Sequence, residues 1–188
     1  MYDYIIIGAG IIGLAIAKTL NEKYPDKKIV ILEKESDVGY HSSGRNSGVL
    51  HAGFYYTANS LKAKFTRDGC LEMTKFCEDN NLAINKCKKV VVANDESELD
   101  SLEELYRRGI ANGVEVELIY EDKLHGLYPN VKTYKKALFS PNTSTINPLE
   151  ILEFLKNDLI DKGIEFRFDE GYNTNLNNNE ILDRKSVV

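Results

Sequence analysis

Apolar residues along this chain switch between continuous short runs and a helical period. Tyr4-Ile5-Ile6-Ile7 is a continuous run suited to a strand buried on both faces. Glycines follow, then a helical pattern from Ile11 to about Lys23 and a turn at Pro25-Asp26. Lys28-Ile29-Val30-Ile31-Leu32-Glu33 reads as a second buried strand. Strand, glycine turn, helix and strand within about 30 residues predict a βαβ unit with a right-handed crossover. Residues 36–56 are rich in Gly, Ser and Asn without a sustained period, which predicts a long ordered loop of the kind that carries function.

Helical spacing returns from Ser60 to about Asn80, with Leu61, Phe65, Met73, Phe76 and Cys77 expected on the buried side. Val90 to Ala93 reads as a strand. Leu99, Leu102, Leu105 and Ile110 mark an amphipathic helix ended by Gly113, and Val116 to Ile119 a short strand. Asn147-Pro148 is a helix start, with Asn as N-cap and Pro at the first helical position. Its stripe is Ile151, Leu152, Leu155 and Leu159; Gly163 closes it and Ile164 to Phe168 is the next strand. From Gly171 the pattern is lost in an Asn-rich stretch.

These elements predict an α/β fold, a Rossmann-like parallel sheet interrupted by part of a second, α+β domain. The expected divisions are 1–82 for the first segment of the nucleotide-binding domain and 83–145 for part of a substrate domain. Residues 146–170 return to the first domain, and 171–188 form an irregular tail. A parallel sheet of three strands leaves an edge exposed, so the chain is expected to be truncated or to end in non-native residues.

Composition narrows the class. Apolar content of 43% and charged content of 28% fit a globular protein, and a net charge of −5 without a basic stripe argues against nucleic acid. The three cysteines, Cys70, Cys77 and Cys87, match no zinc or redox spacing and read as small apolar side chains in a reducing cytoplasm, with Cys70 and Cys77, seven apart in a helical stretch, expected on one buried stripe. The run Ile5 to Ala17 is too short to cross a bilayer and has Asp3 where a signal peptide carries positive charge. No metal site is expected.

Gly8-Ala9-Gly10-Ile11-Ile12-Gly13 fits G-x-G-x-x-G between a strand and a helix. Gly8 permits the turn, Gly10 lets backbone approach a pyrophosphate, and Gly13 lets the helix pack on the sheet. Free amides of the first helical turn, at Ile11 and Ile12, and the positive helix end would face the phosphates. Glu33 ends the second strand, where a carboxylate accepts hydrogen bonds from the ribose hydroxyls and repels a 2′-phosphate. Lys34 beside it joins the expected cofactor contacts. The motif leaves NAD and FAD open.

The segment Ser42-Ser43-Gly44-Arg45-Asn46-Ser47-Gly48-Val49-Leu50-His51-Ala52-Gly53 resembles the second FAD fingerprint of the D-amino-acid-oxidase-like family of flavoproteins. Within that family, Ser43 to Ala52 with Gly53-Phe54-Tyr55-Tyr56 is most similar to L-2-hydroxyglutarate dehydrogenases and oxidases. Glycerol-3-phosphate dehydrogenases share a similar Arg-Asn-Ser stretch. The resemblance covers roughly residues 3 to 170 and implies a C-terminal half that supplies the rest of the substrate sheet and of the FAD site. It implies FAD as cofactor, contacted by Ser42, Ser43, Arg45, Asn46, Ser47 and Gly48. Arg45 stands where some relatives attach FAD through His or Cys, so noncovalent FAD is expected.

The implied reaction oxidises a 2-hydroxy acid, with L-2-hydroxyglutarate giving 2-oxoglutarate, and passes electrons on to quinone or oxygen. Glycerol 3-phosphate, an amino acid, or an inactive fragment with a partial FAD site are the alternatives. Peripheral membrane association of a longer protein is left open. His51 is the candidate base, against a loop histidine that only hydrogen-bonds backbone. His41 fits a loop or flavin-edge role, and His125 the surface. Arg45 offers a fork to phosphate or carboxylate, or a structural ion pair. Asn46 and Ser47 bind cofactor or hold the loop. Tyr55 and Tyr56 are candidates to wall the substrate site, one of them being core. Lys62, Lys64 and Arg67 read as a solvated helix face.

Overall fold

The first two strands of the first sheet, at 4–7 and 29–32, are runs of mostly β-branched residues joined by a helix, and parallel neighbours require such crossovers. The computed structural model describes residues 1–176 and 180–183. In chain order the elements are β1 (Tyr4–Ile7), α1 (Ile11–Lys23), β2 (Ile29–Leu32), β3 (Val49–Leu50), α2 (Leu61–Asp79), β4 (Ile84–Asn85) and β5 (Lys89–Val92). A 3-10 turn at Glu96–Glu98 leads into α3 (Leu99–Ala111), then β6 (Glu117–Tyr120), α4 (Glu121–Leu127), β7 (Lys136–Ser140) and β8 (Ser144–Ile146). The chain continues with α5 (Pro148–Asp161), β9 (Glu165–Arg167), β10 (Tyr172–Leu176) and β11 (Glu180–Asp183). No described helix is long and apolar enough to cross a membrane.

Contacts divide the chain into one unit of residues 1–47 and 147–188 and a second of residues 48–146. The first division falls well before residue 82, the expected end of the opening segment. The reason is local: Cys70 of α2 bonds the carbonyls of Leu50 and Asn142, and Arg67 bonds that of Asn112, all in the second unit.

In the first unit β1, β2 and β9 form a parallel sheet in the order β1-β2-β9, with Tyr4 opposite Ile29 and Val30 opposite Glu165. The central strand is buried at all four positions. β1 departs from the expectation of burial on both faces. Ile6 is 8% exposed, but Ile5 and Ile7, which alternate to the other face, are 38% and 53% exposed. A continuous apolar run records what a strand can bury, and among the described residues one face of β1 is left open. Helices α1 and α5 pack on each other, and α5 buries the expected Ile151, Leu152, Leu155 and Leu159. Asn147 caps α5, its Oδ1 accepting the Leu149 amide at 3.1 Å. The tail is not irregular throughout, because β10 and β11 pair as an antiparallel hairpin. Its basis is backbone pairing between two short strands that carry no sustained apolar alternation to read. The final residues 184–188 lie outside the described set.

In the second unit β5-β7-β6 form an antiparallel sheet, and β3-β8-β4 a smaller one. Phe54, Leu102, Val114 and Leu138 build one core, and Ile119, Leu124 and Ala137 another. The buried face of α2 agrees with the expectation at Cys70 and Cys77 and departs from it at Leu61 and Phe65. It runs through Ala63, Cys70 and Cys77, seven residues apart, while Leu61 and Phe65 are 69% and 65% exposed. Small side chains at that spacing bring the helix close to its neighbours, which the larger residues would prevent. Ile110, expected in the α3 stripe, is also exposed. There Gly109 is buried, and a Cβ on it would lie 2.6 Å from Val116 Cγ2.

Candidate dinucleotide and substrate sites

The candidate dinucleotide site belongs to the first unit and starts from two glycines. Gly8 leaves β1 at φ +96°, a conformation open to glycine at little cost. Gly13 sits in α1 against that turn, where a Cβ would stand 2.0 Å from the Gly8 carbonyl oxygen. Helix and strand therefore meet backbone to backbone, and the first-turn amides of α1 open at the end of the sheet.

Two side chains complete the cradle. Gly10, the N-cap of α1, brings no capping side chain, and the Ser43 hydroxyl supplies one from the loop, accepting the Ile11 amide at 3.1 Å. A Cβ on Gly10 would come within 3.0 Å of that hydroxyl. Ser43 thus stands at the anion-attracting end of the helix. Glu33 is nearly buried; its Oε2 accepts the Ala9 amide at 2.7 Å and its Oε1 the Glu35 amide at 3.1 Å. The ribose acceptor expected from the sequence therefore also ties the glycine turn to the end of β2. Each carboxylate oxygen retains a lone pair for a further donor.

Beside this turn lies a cavity of about 360 Å³ lined by Gly8, Leu32, Glu33, Lys34, His41 and Tyr172. Its walls carry apolar and aromatic surface, with the Glu33 carboxylate at the polar end. His41 is exposed, and its Nε2 lies 2.8 Å from Glu35 Oε1, a contact that lowers the Glu35 pKa. Tyr172, on β10, was missed by sequence reasoning, since nothing in the pattern after Gly171 marks one aromatic as a wall.

The remaining loop residues divide by role. Asn46 holds the loop, its Nδ2 donating to the Ser42 and Ser43 carbonyls at 3.0 and 2.9 Å. Arg45 is exposed, and no described carboxylate lies within 4.0 Å of it. Ser42 and Ser47 are exposed, as are Lys34 and Ile12. Gly48 is buried and groups with the second unit, where its carbonyl accepts the Ile146 amide at 2.9 Å. No cluster of His, Cys, Asp and Glu suited to a metal ion exists among the described residues.

The second unit places His51 edge-on to Tyr55, ring centroids 6.3 Å apart at 85°. No described residue hydrogen-bonds the imidazole, so the backbone-bonded loop histidine is not observed. Burial lowers its pKa from the ordinary value, and the Lys89 charge lowers it further, so the ring is neutral over a wider pH range. Tyr55 and Tyr56 are both half-buried, and Phe54 is the core residue at 1% exposure. Lys62 lies over the Tyr56 ring at 4.5 Å. Arg67 is no free surface group: it donates to the Asn112 carbonyl at 2.9 Å and pairs with Asp68. His125 is exposed on α4. A further missed residue is Asn112, 7% exposed, which binds the Gly53 and Tyr56 carbonyls and the Asn59 amide and so fixes the loop bearing Tyr55.

Residues 3–176 match the DAO family model, described as FAD dependent oxidoreductase. The chain is 41% identical over 151 residues to an L-2-hydroxyglutarate dehydrogenase of Escherichia coli O17:K52:H18, covering 80% of this chain and 36% of that relative. To the mitochondrial L-2-hydroxyglutarate dehydrogenase of Dictyostelium discoideum it is 39% identical over 164 residues, 86% of this chain and 37% of the relative. The chain thus spans little more than a third of the relatives it matches. Among solved structures, the FAD-bound L-alpha-glycerophosphate oxidase of Mycoplasma pneumoniae superposes with a TM-score of 0.80 at 24% identity, covering 92% of this chain and 46% of that one. Glycine oxidase from Geobacillus kaustophilus gives 0.79 at 19% identity, covering 91% and 47%. These two likenesses bear on the fold alone.

Proposed function

The chain belongs to the DAO family of FAD-dependent oxidoreductases, and from that premise we propose that it forms the dinucleotide-binding portion of an enzyme oxidising L-2-hydroxyglutarate to 2-oxoglutarate. The observation that carries the reading is the cradle of Gly8, Gly10, Gly13, Ser43 and Glu33, joined to the 2-hydroxyglutarate dehydrogenases that match over most of the chain.

The residues present fit FAD. The first-turn amides of α1 and the Ser43 hydroxyl would hold the pyrophosphate, with Arg45 as a free guanidinium for the same charge. Glu33 would take the adenosine ribose, and Tyr172 would cover the adenine. Bound noncovalently, the flavin supplies the acceptor for the two electrons and the hydrogen on C2 of the substrate. His51 takes the hydroxyl proton on a ring nitrogen, for which it must be neutral, and both of its charge-state influences favour that form. Quinone or oxygen as the final acceptor, and a cytoplasmic location with or without peripheral membrane contact, belong to the same proposal.

The test uses the complete protein. It is expected to be yellow and to bleach anaerobically with L-2-hydroxyglutarate but not with glycerol 3-phosphate or amino acids. A colourless protein that binds NAD overturns the flavin; bleaching by one of the other substrates overturns the substrate.

A further inference from the structure

Lys89 and His51 share one aromatic ring. Lys89 opens β5, half-buried and opposite Ser140 in the ladder, and its Nζ lies 4.8 Å from the centroid of Tyr55. His51 meets the same ring edge-on at 6.3 Å. The ring is held firmly. It packs on Phe54 at 4.2 Å, the Tyr55 carbonyl accepts from Arg108 Nη1 at 3.4 Å, and Asn112 binds the carbonyls of Gly53 and Tyr56 on either side.

The charges around this group are unevenly matched. Arg108, from α3, is already paired with Glu104. Lys88, next along the chain before β5, lies over Phe139. Lys89 faces Tyr55 and acts on His51, and no described carboxylate lies within 4.0 Å of its ammonium. A half-buried ammonium satisfied by a ring face alone keeps donors available for an anion. Holding that cation beside an imidazole is unfavourable for any positive charge on the ring, and an incoming anion relieves the imbalance.

We propose that Lys89 receives a carboxylate of the substrate, beside His51 on the Tyr55 ring. The inference rests on the 2-hydroxy acid reading and adds the residue that recognises the acid. It also links recognition to proton transfer. In the free protein the Lys89 charge disfavours the protonated imidazole. A carboxylate on Lys89 cancels that charge, so His51 becomes a stronger base once the substrate is in place.

The test compares Lys89→Met and Lys89→Arg with the parent in the complete FAD-loaded protein. KM for L-2-hydroxyglutarate and Kd for 2-oxoglutarate, read from the flavin spectrum, are expected to rise about tenfold or more in K89M, the loss of one charge-assisted bond. K89R is expected to restore most of the affinity, and kcat to change less than KM. The pH limb of kcat/KM assigned to His51 is expected to move upward in K89M, which a packing role for the lysine would not produce. Parent-like KM, Kd and pH profile in a folded K89M overturn the inference and leave the functional reading standing. Absence of bleaching by any 2-hydroxy acid removes the functional reading. In that case 2-oxoglutarate binding still decides on Lys89: unchanged or absent binding in parent and variant alike overturns it.

Discussion

Glu33→Gln separates the two tasks of one carboxylate. In the free protein Glu33 accepts the Ala9 and Glu35 amides at 2.7 and 3.1 Å, and so joins the glycine turn to the end of β2. A hydrogen bond to a charged acceptor is worth ~1.5–3 kcal/mol, and an orphaned buried donor costs ~1–3 kcal/mol. The amide side chain keeps one acceptor oxygen and turns an NH₂ toward the other backbone N–H, so the expected loss is about 2–4 kcal/mol before any cofactor is added. The assay is urea unfolding of the ligand-free protein, where an m-value of ~1–3 kcal/mol/M converts this loss to a midpoint lowered by about 0.7–4 M. FAD affinity, measured separately by titration, is expected to fall as well. An E33Q variant within about 0.5 kcal/mol of the parent, the ordinary range for surface changes, yet unable to bind FAD, would refute the structural half of the argument.

Gly13→Ala puts a methyl 2.0 Å from the Gly8 carbonyl, so FAD binding is expected to be lost and the melting temperature to fall by the equivalent of ~1–3 kcal/mol, the cost of overpacking. Asn112→Leu removes three side-chain hydrogen bonds to residues 53–59 and is expected to cost ~2–4 kcal/mol in urea unfolding, with faster proteolysis of that loop. Burial and Lys89 hold the folded-state pKa of His51 below its unfolded value, so the unfolded chain binds more protons between the two. Stability from this group is then full above the usual 6.5 and lost as pH falls through the folded value; urea midpoints against pH are expected to flatten in His51→Gln. Among the thiols, exposed Cys87 is expected to be alkylated first. Cys70, its pKa raised by burial, is expected to react only on unfolding, as read by mass spectrometry.

What could be read from the sequence follows how locally each element is determined. The turn from β1 into α1 was legible because a strand, three glycines and an acid stand in fixed order within 33 residues. The α5 stripe was legible for the same reason, with its cap and its apolar period adjacent. β3, β4 and β8 were not, since two- and three-residue strands acquire meaning only when Val49 meets Thr145 and Ile84 meets Ile146. On α2 the seven-residue spacing of Cys70 and Cys77 marks the buried stripe, but apolar size is no guide at Leu61 and Phe65, where the small Ala63 is buried in their place. At the sites, Glu33 and Ser43 were found by motif and by resemblance. Lys89 and Asn112 were not, because their partners lie far off along the chain, at Tyr55 and in the loop 53–59.

The pairing of Gly48 with Ile146 has a consequence for how such a chain can be varied. The second unit enters at Gly48 and leaves at Ile146, and these ends are joined by a hydrogen bond and continued by β3 against β8. Its two ends are therefore about one strand spacing apart, ~5 Å. A module that begins and ends at the same point can be exchanged for another with matching ends while Ser47 and Asn147 keep their places. The second unit is then free to diverge as one cassette, without change to the residues that flank it.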